Sequence, residues 1–147
     1  MKKKTYVLTL SKYFPKTHKR AGERTGFLDN ILLSKLHTIR SNYDLWNERA
    51  EKINEGEAIL SIRYWSGLPY KSKQVELLKL EKIGVEKLEE PDNFVFAKIE
   101  GKYFDWKTVA ENDGLTFENF CEWFKKRQSE PMAILHFTSF RYVECNK

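Results

Sequence analysis

Apolar positions change their spacing several times along the chain, and each change predicts a different element. Residues 6–10 form a short β-rich run and read as a strand, whereas residues 11–26 mix Lys, Arg, Thr, Gly and one Pro without any hydrophobic period and read as a loop. Phe27, Leu28, Ile31 and Leu32 then recur at one, three and four residue steps, which predicts a short helix over 27–33 with one buried face. A second helix is expected over 43–53, its stripe formed by Leu45, Trp46, Arg49, Ala50 and Ile53, with a stop near 54–56. Alternation over 58–65 and 74–82 on either side of a Gly/Pro turn at 67–73 predicts an antiparallel strand pair. Residues 94–99 and 102–104 flank Glu100-Gly101, a tight-turn dipeptide, and so predict a hairpin. Asp113-Gly114 breaks the chain and Thr116 stands where an N-cap belongs. Phe117, Phe120, Cys121 and Phe124 follow on one helical face, with Lys125, Lys126 and Arg127 in the last turn. After Pro131, residues 132–143 are rich in β-formers and read as a long closing strand.

Strands spread along the chain between three helical pieces argue for an α+β fold with a small, strongly curved sheet or partly closed barrel. A doubly wound parallel sheet would need regular βαβ alternation, which is missing. At 147 residues, 41% hydrophobic and 32% charged, the chain is expected to form one domain with a real core, residues 1–147. Its longest uncharged, largely apolar run, 132–137, is far short of the roughly 18 residues of a membrane span. Lys2 to Lys4 ahead of the first strand suggest a secretory leader, but charge returns at Lys12 before an apolar segment accumulates.

Charge changes the picture more than composition does. Residues 1–40 hold ten Lys and Arg against two acids, a net +8, which leaves sixteen against nineteen, or −3, for residues 41–147. Localised positive charge attracts polyanions through phosphate neutralisation and counterion release, and RNA or DNA is the commonest such partner. A solvated lysine-rich terminus is the plainer reading of Lys2 to Lys4. Cys121 and Cys145 cannot make a disulfide framework and have no Cys or His partner at ligand spacing. A reducing, cytoplasmic setting is therefore expected. Gly22 and Gly26 lack the spacing of a phosphate-binding loop, and His18, His37 and His136 are scattered, so neither a cofactor nor a metal is expected.

Three constellations could carry chemistry. In Lys35-Leu36-His37-Thr38-Ile39-Arg40, strand geometry puts Lys35, His37 and Ile39 on one face and Thr38 and Arg40 on the other, unless a turn at Lys35 relaxes this. A threonine hydroxyl needs a neighbouring base to become a nucleophile, and a desolvated lysine can serve. The plainer reading is a polar strand edge. Asp113, just ahead of the helix at Thr116, could be kept ionised by the helix start and aimed at a ligand, although Asp-Gly is also an ordinary turn. Trp65, Tyr70, Lys71 and Lys73 in the 65–73 turn combine aromatic faces with cations, which is how single-stranded RNA is held, although Trp65 can equally close the core. Cys121, on the apolar helix face, reads as core.

These residues together resemble the ASCH domains, a branch of the PUA-like superfamily. The resemblance runs over roughly residues 5–143, from the early helix into Lys35-x-x-Thr38-x-Arg40, similar to the family's G-x-K-x-x-T-x-R signature with Leu33 at the glycine position, and on to 110–116, a helix and the final strand. It implies a small mixed or antiparallel β-barrel with flanking helices, and a cleft beside the signature that receives RNA or a modified nucleoside. One bacterial branch removes the acetyl group from N4-acetylcytidine with a Lys, a Thr and a Glu. By that resemblance Lys35 is the base, Thr38 the attacking hydroxyl, and the Glu falls at Asp113, one methylene shorter. Two functions follow as expectations. In the first, a binding module, the basic loop with Lys12, Lys16, Lys19, Arg20 and Arg24, together with Tyr70, Lys71 and Lys73, flanks a cleft holding Lys35, Thr38 and Arg40. The second is an amidohydrolase. Whether the chain is an enzyme stays open at this level, as does a role in protein interaction.

Overall fold

The computed structural model describes residues 3–126 and 128–143. Arg127, at the end of the expected last helix, lies outside them, as do Lys2 and Cys145. Among the described residues the order is β1 (Lys4–Thr9), α1 (Phe27–Asn30), β2 (His37–Ser41), α2 (Tyr43–Asn54), β3 (Ala58–Trp65), β4 (Gln74–Leu80), β5 (Gly84–Leu88), β6 (Ala97–Ile99), β7 (Lys102–Phe104), α3 (Trp106–Asn112), α4 (Phe117–Trp123) and β8 (Met132–His136). No helix among these residues is long and apolar enough to cross a membrane.

The fold is α+β. The strands form two sheets, a three-stranded one ordered β1-β3-β4 and a five-stranded one ordered β2-β8-β5-β6-β7. In the first, β1 runs parallel to β3 from Lys4 opposite Ala58 to Thr9 opposite Arg63, while β4 is antiparallel to β3. The second is antiparallel throughout, with His37 opposite His136 and Gly84 also opposite His136. The expected barrel is thus not closed among the described residues, because the backbone hydrogen bonding leaves two separate open sheets. Helix α2 packs on β3 of one sheet and on β5 and β8 of the other, burying Trp46, Ala50 and Ile53 between them. Asn42 starts that helix by accepting the Leu45 N–H at 3.2 Å.

Several elements differ from the sequence reading. The first helix stops at Asn30 because its carbonyl accepts the N–H groups of Leu33, Ser34 and Lys35. The chain coils there, Leu32 takes φ +68°, and Leu33 is left exposed. Residues 94–96 are not a strand, since the Asn93 side chain accepts the Val95 and Phe96 N–H groups and bends the backbone into a turn. The closing strand ends at His136 rather than at 143, and α4 ends before Lys125 and Lys126. Strand β5 and helix α3 carry no clear period and were not expected.

Candidate ligand-binding cavity

Lys35 sits in the coil between α1 and β2, where Asn30 ties down its backbone and the Leu36 N–H donates to the Asn112 carbonyl at 2.7 Å. That second bond brings the chain against the end of α3, and Lys35 pairs with Asp113 as an isolated β-bridge. The Lys35 Nζ donates to the Asp113 carbonyl at 2.9 Å, lies 3.6 Å from its Oδ1 and stands 3.9 Å above the Phe27 ring. Only 1% of the side chain is exposed. Burial pushes the Lys35 pKa below its ordinary 10.5, the Asp113 carboxylate pulls it back up, and Arg40 adds to the lowering. This amine sheds its proton more readily than a lysine in water. Close approach here depends on Gly114, which has φ +84° and where a Cβ would fall 3.0 Å from the Lys35 Cβ.

Asp113 does not act as a helix-start acid. It is the C-cap residue of α3, its own N–H bonded back into that helix, while Thr116 caps α4 by accepting the Asn119 N–H at 3.2 Å. The carboxylate turns instead to His37, whose Nδ1 lies 3.1 Å from Oδ1. On the far side of the imidazole, Nε2 is 2.6 Å from the Tyr142 hydroxyl, whose oxygen accepts from Asn112 Nδ2 at 3.1 Å. Sequence reasoning assigned no role to His37, Asn112 or Tyr142. Only the shared strand face of Lys35 and His37 hinted at the first.

A second buried pair lies next to this one. His136 Nε2 is 2.7 Å from Glu86 Oε1, and Glu86 also accepts the N–H groups of Tyr142 and Val143 at 2.7 and 2.9 Å. Burial pushes the Glu86 carboxyl up, but the His136 bond and the two backbone bonds outweigh it and hold the group below its usual range. Burial keeps His136 below 6.5 against the pull of Glu86. A neutral imidazole donating from Nε2 satisfies both directions and leaves His136 Nδ1 as an acceptor with no partner among the described residues.

Lys35, Thr38, Arg40 and Asp113 line one cavity of about 90 Å³. The coil at Lys35 undoes strict alternation, so residues expected on opposite strand faces meet there. Phe27, Trp123 and Phe124 supply aromatic walls, and Leu10 and Ser11 complete the wall on the side that leads into the basic loop. Arg40 donates through Nη2 to the Thr9 carbonyl at 2.7 Å, while its Nε is buried with no partner among the described residues. Burial lowers the Arg40 pKa and Asp113 opposes that shift.

The other candidate residues lie outside the cavity. The basic loop packs beside it, with Phe14 5.6 Å from Trp123, His18 Nε2 3.0 Å from the Asn119 carbonyl, and Lys125 donating to the Thr17 carbonyl at 2.7 Å. Lys16 and Lys19 are exposed on this loop. Arg20 pairs with Glu23 at 3.1 Å and Arg24 with Asp29 at 3.7 Å. Lys12 faces the Tyr13 and Tyr64 rings at 5.7 and 5.9 Å. Trp65 is half-buried, 5.2 Å from the exposed Tyr70 ring, with Lys71 and Lys73 exposed in the same turn. Because β1 and β3 are parallel and Leu10 donates to the Arg63 carbonyl at 2.8 Å, the loop after β1 and the turn after β3 leave the same end of the three-stranded sheet.

Comparison of the chain with protein-family models, with curated proteins and with solved structures gives no match.

Proposed function

We propose that this protein is a PUA-like, ASCH-type module that binds RNA or a modified nucleoside, in a cytoplasmic setting, with the base in the cavity beside Lys35-x-x-Thr38-x-Arg40. The reading rests on one observation above the others: a cavity with aromatic walls gathers the buried Lys35, the partly buried Arg40, a threonine and one carboxylate beside a loop carrying surplus positive charge. The Arg40 Nε, without a partner among the described residues, supports it, because a buried donor without an acceptor is costly until a ligand oxygen or nitrogen meets it. Exposed Lys16, Lys19, Lys71 and Lys73 suit phosphate attraction, and Tyr70 offers a free aromatic face. The test is affinity for single-stranded RNA and for a panel of modified nucleosides across a salt series. Binding that weakens steeply with salt and is lost in Lys35→Met and Arg40→Met supports the reading; no binding to any probe at low salt overturns it.

The state of Lys35 favours a second reading, an amidohydrolase acting on N4-acetylcytidine-type substrates. An amine whose pKa burial lowers gives up its own proton more readily and so can take the Thr38 hydroxyl proton as that oxygen attacks the acyl carbon. The proton then passes to the departing exocyclic amine, the nucleoside leaves, and water cleaves the threonine ester. Asp113 would hold the resulting ammonium. Chromatography of N4-acetylcytidine after incubation decides it: cytidine from the wild-type protein and none from Lys35→Met is the expected result, and no cytidine from either removes it.

A further inference from the structure

We infer that Tyr142 is a positioning residue for this cavity, its hydroxyl fixing the His37 proton on Nδ1 so that the imidazole holds the Asp113 carboxylate beside Lys35. The relevance to ligand binding rests on the function proposed above; the hydrogen-bond order does not. Asn112 Nδ2 can only donate, so it occupies a lone pair of the Tyr142 oxygen at 3.1 Å. The hydroxyl hydrogen is then free to point at His37 Nε2, 2.6 Å away, which must accept. The opposite nitrogen, 3.1 Å from a carboxylate oxygen, must donate. The alternative tautomer, protonated on Nε2, would turn a lone pair towards Asp113 and leave two donors facing each other across the Tyr142 contact. His37 is fully buried, so water cannot relieve either clash. Burial also pushes the Tyr142 phenol above its ordinary pKa, which keeps its proton available to donate.

The segment that carries Tyr142 is anchored apart from that hydroxyl. Glu86 takes its backbone N–H and that of Val143, and its ring packs against Phe104 and Phe140 at 5.4 and 5.0 Å. Arg141 lies so close over Gly84 that a Cβ there would fall 2.1 Å from its Cζ, and its Nη1 donates to the Thr138 and Phe140 carbonyls. Tyr142→Phe therefore removes the hydroxyl and leaves the anchoring in place.

The test uses the full chain labelled with 15N and long-range imidazole 1H–15N correlation at neutral pH, the His37 signals being those absent from His37→Asn. The expected wild-type pattern is a neutral ring protonated on Nδ1, replaced in Tyr142→Phe by the Nε2 tautomer or a mixture. In the same variant, affinity for the nucleoside probe is expected to fall about threefold to tenfold, the effect of one net hydrogen bond. A wild-type His37 protonated on Nε2, or doubly protonated, overturns the inference even if the variant does not fold; so does a Tyr142→Phe spectrum or affinity identical to wild type. The expected His37 pattern in a protein that binds no nucleoside keeps the hydrogen-bond order and removes only the ligand reading.

Discussion

Lys35 and Asp113, 78 residues apart in sequence, meet twice: the lysine Nζ donates to the Asp113 carbonyl at 2.9 Å and faces its carboxylate at 3.6 Å. The carbonyl and the Phe27 ring replace only part of the lost water, and the Asp113 carboxylate is the charge that pulls the lowered pKa back up.

This relationship sets the alkaline limb of stability. Because the folded pKa of Lys35 lies below 10.5, the unfolded chain binds more protons between those two values, and stability rises with pH across that window. Denaturant titrations at successive pH values should show this rise in wild type and a flatter limb in Lys35→Met. In Asp113→Ala the rise should start at lower pH, since the group holding the pKa up has gone. A limb unchanged by both substitutions contradicts the account.

The Glu86 and His136 pair sets the acid limb. Folded His136 takes up its proton only below the ordinary 6.5, so stability is lost as pH falls from 6.5 towards that lower value, a window in which the unfolded imidazole binds more protons. The Glu86 contribution is complete above 4.5 and disappears as pH falls through its lower folded pKa. His136→Gln, which can keep a donor towards Glu86 without titrating, should flatten the loss between 6.5 and 4.5 and leave the loss at lower pH. Urea midpoints across pH 3 to 8 measure both parts.

Gly114→Ala should destabilise the protein by about 1–2 kcal/mol, the usual cost of a left-handed residue with a Cβ. Since that Cβ crowds Lys35, ligand affinity should fall beyond what the stability loss explains. Thr116→Ala, which removes the α4 cap without touching the cavity, should cost about 1 kcal/mol and leave affinity unchanged. Thermal unfolding and titration of the two variants side by side separate backbone strain from simple loss of stability.

Reversing two loop charges, Lys16→Glu with Lys19→Glu, should weaken RNA binding most at low salt. Each lost phosphate contact reduces the log–log salt slope by about 0.7 for a single strand, so the double variant should lose about 1.4. An unchanged slope removes this loop from the binding surface.

Local periodicity carried most of the fold into view. The α2 stripe, the β3–β4 pair, the turn at Glu100-Gly101 and the Thr116 cap depend on neighbours within a few residues, and such patterns are written in order along the chain. Strand β5 was illegible because its inward positions alternate Glu86 with Leu88 while Val85 faces outward, so its hydrophobic signal cancels. The first helix was overread because Leu32 and Leu33 continued the apolar run past the point where the Asn30 carbonyl captures three N–H groups. Within the cavity, Lys35, Thr38 and Arg40 were visible as one short motif, and Asp113 as a turn acid. What connects them was not visible: His37, Asn112 and Tyr142 come from three separate stretches, and no periodicity encodes a contact between residues 105 apart.

The cavity and the contacts behind it also draw on distant stretches of the described residues. Residues 35–37 provide the amine and the imidazole, the close of α3 supplies the carboxylate that both face, and Tyr142 lies across the imidazole from that carboxylate. No fragment made from one half carries the assembled group, and in such a piece Lys35 is an ordinary solvated lysine. Loop closure on this scale comes only with long-range pairing, so the acidity of the Lys35 amine should report that residues 35 and 113 have met.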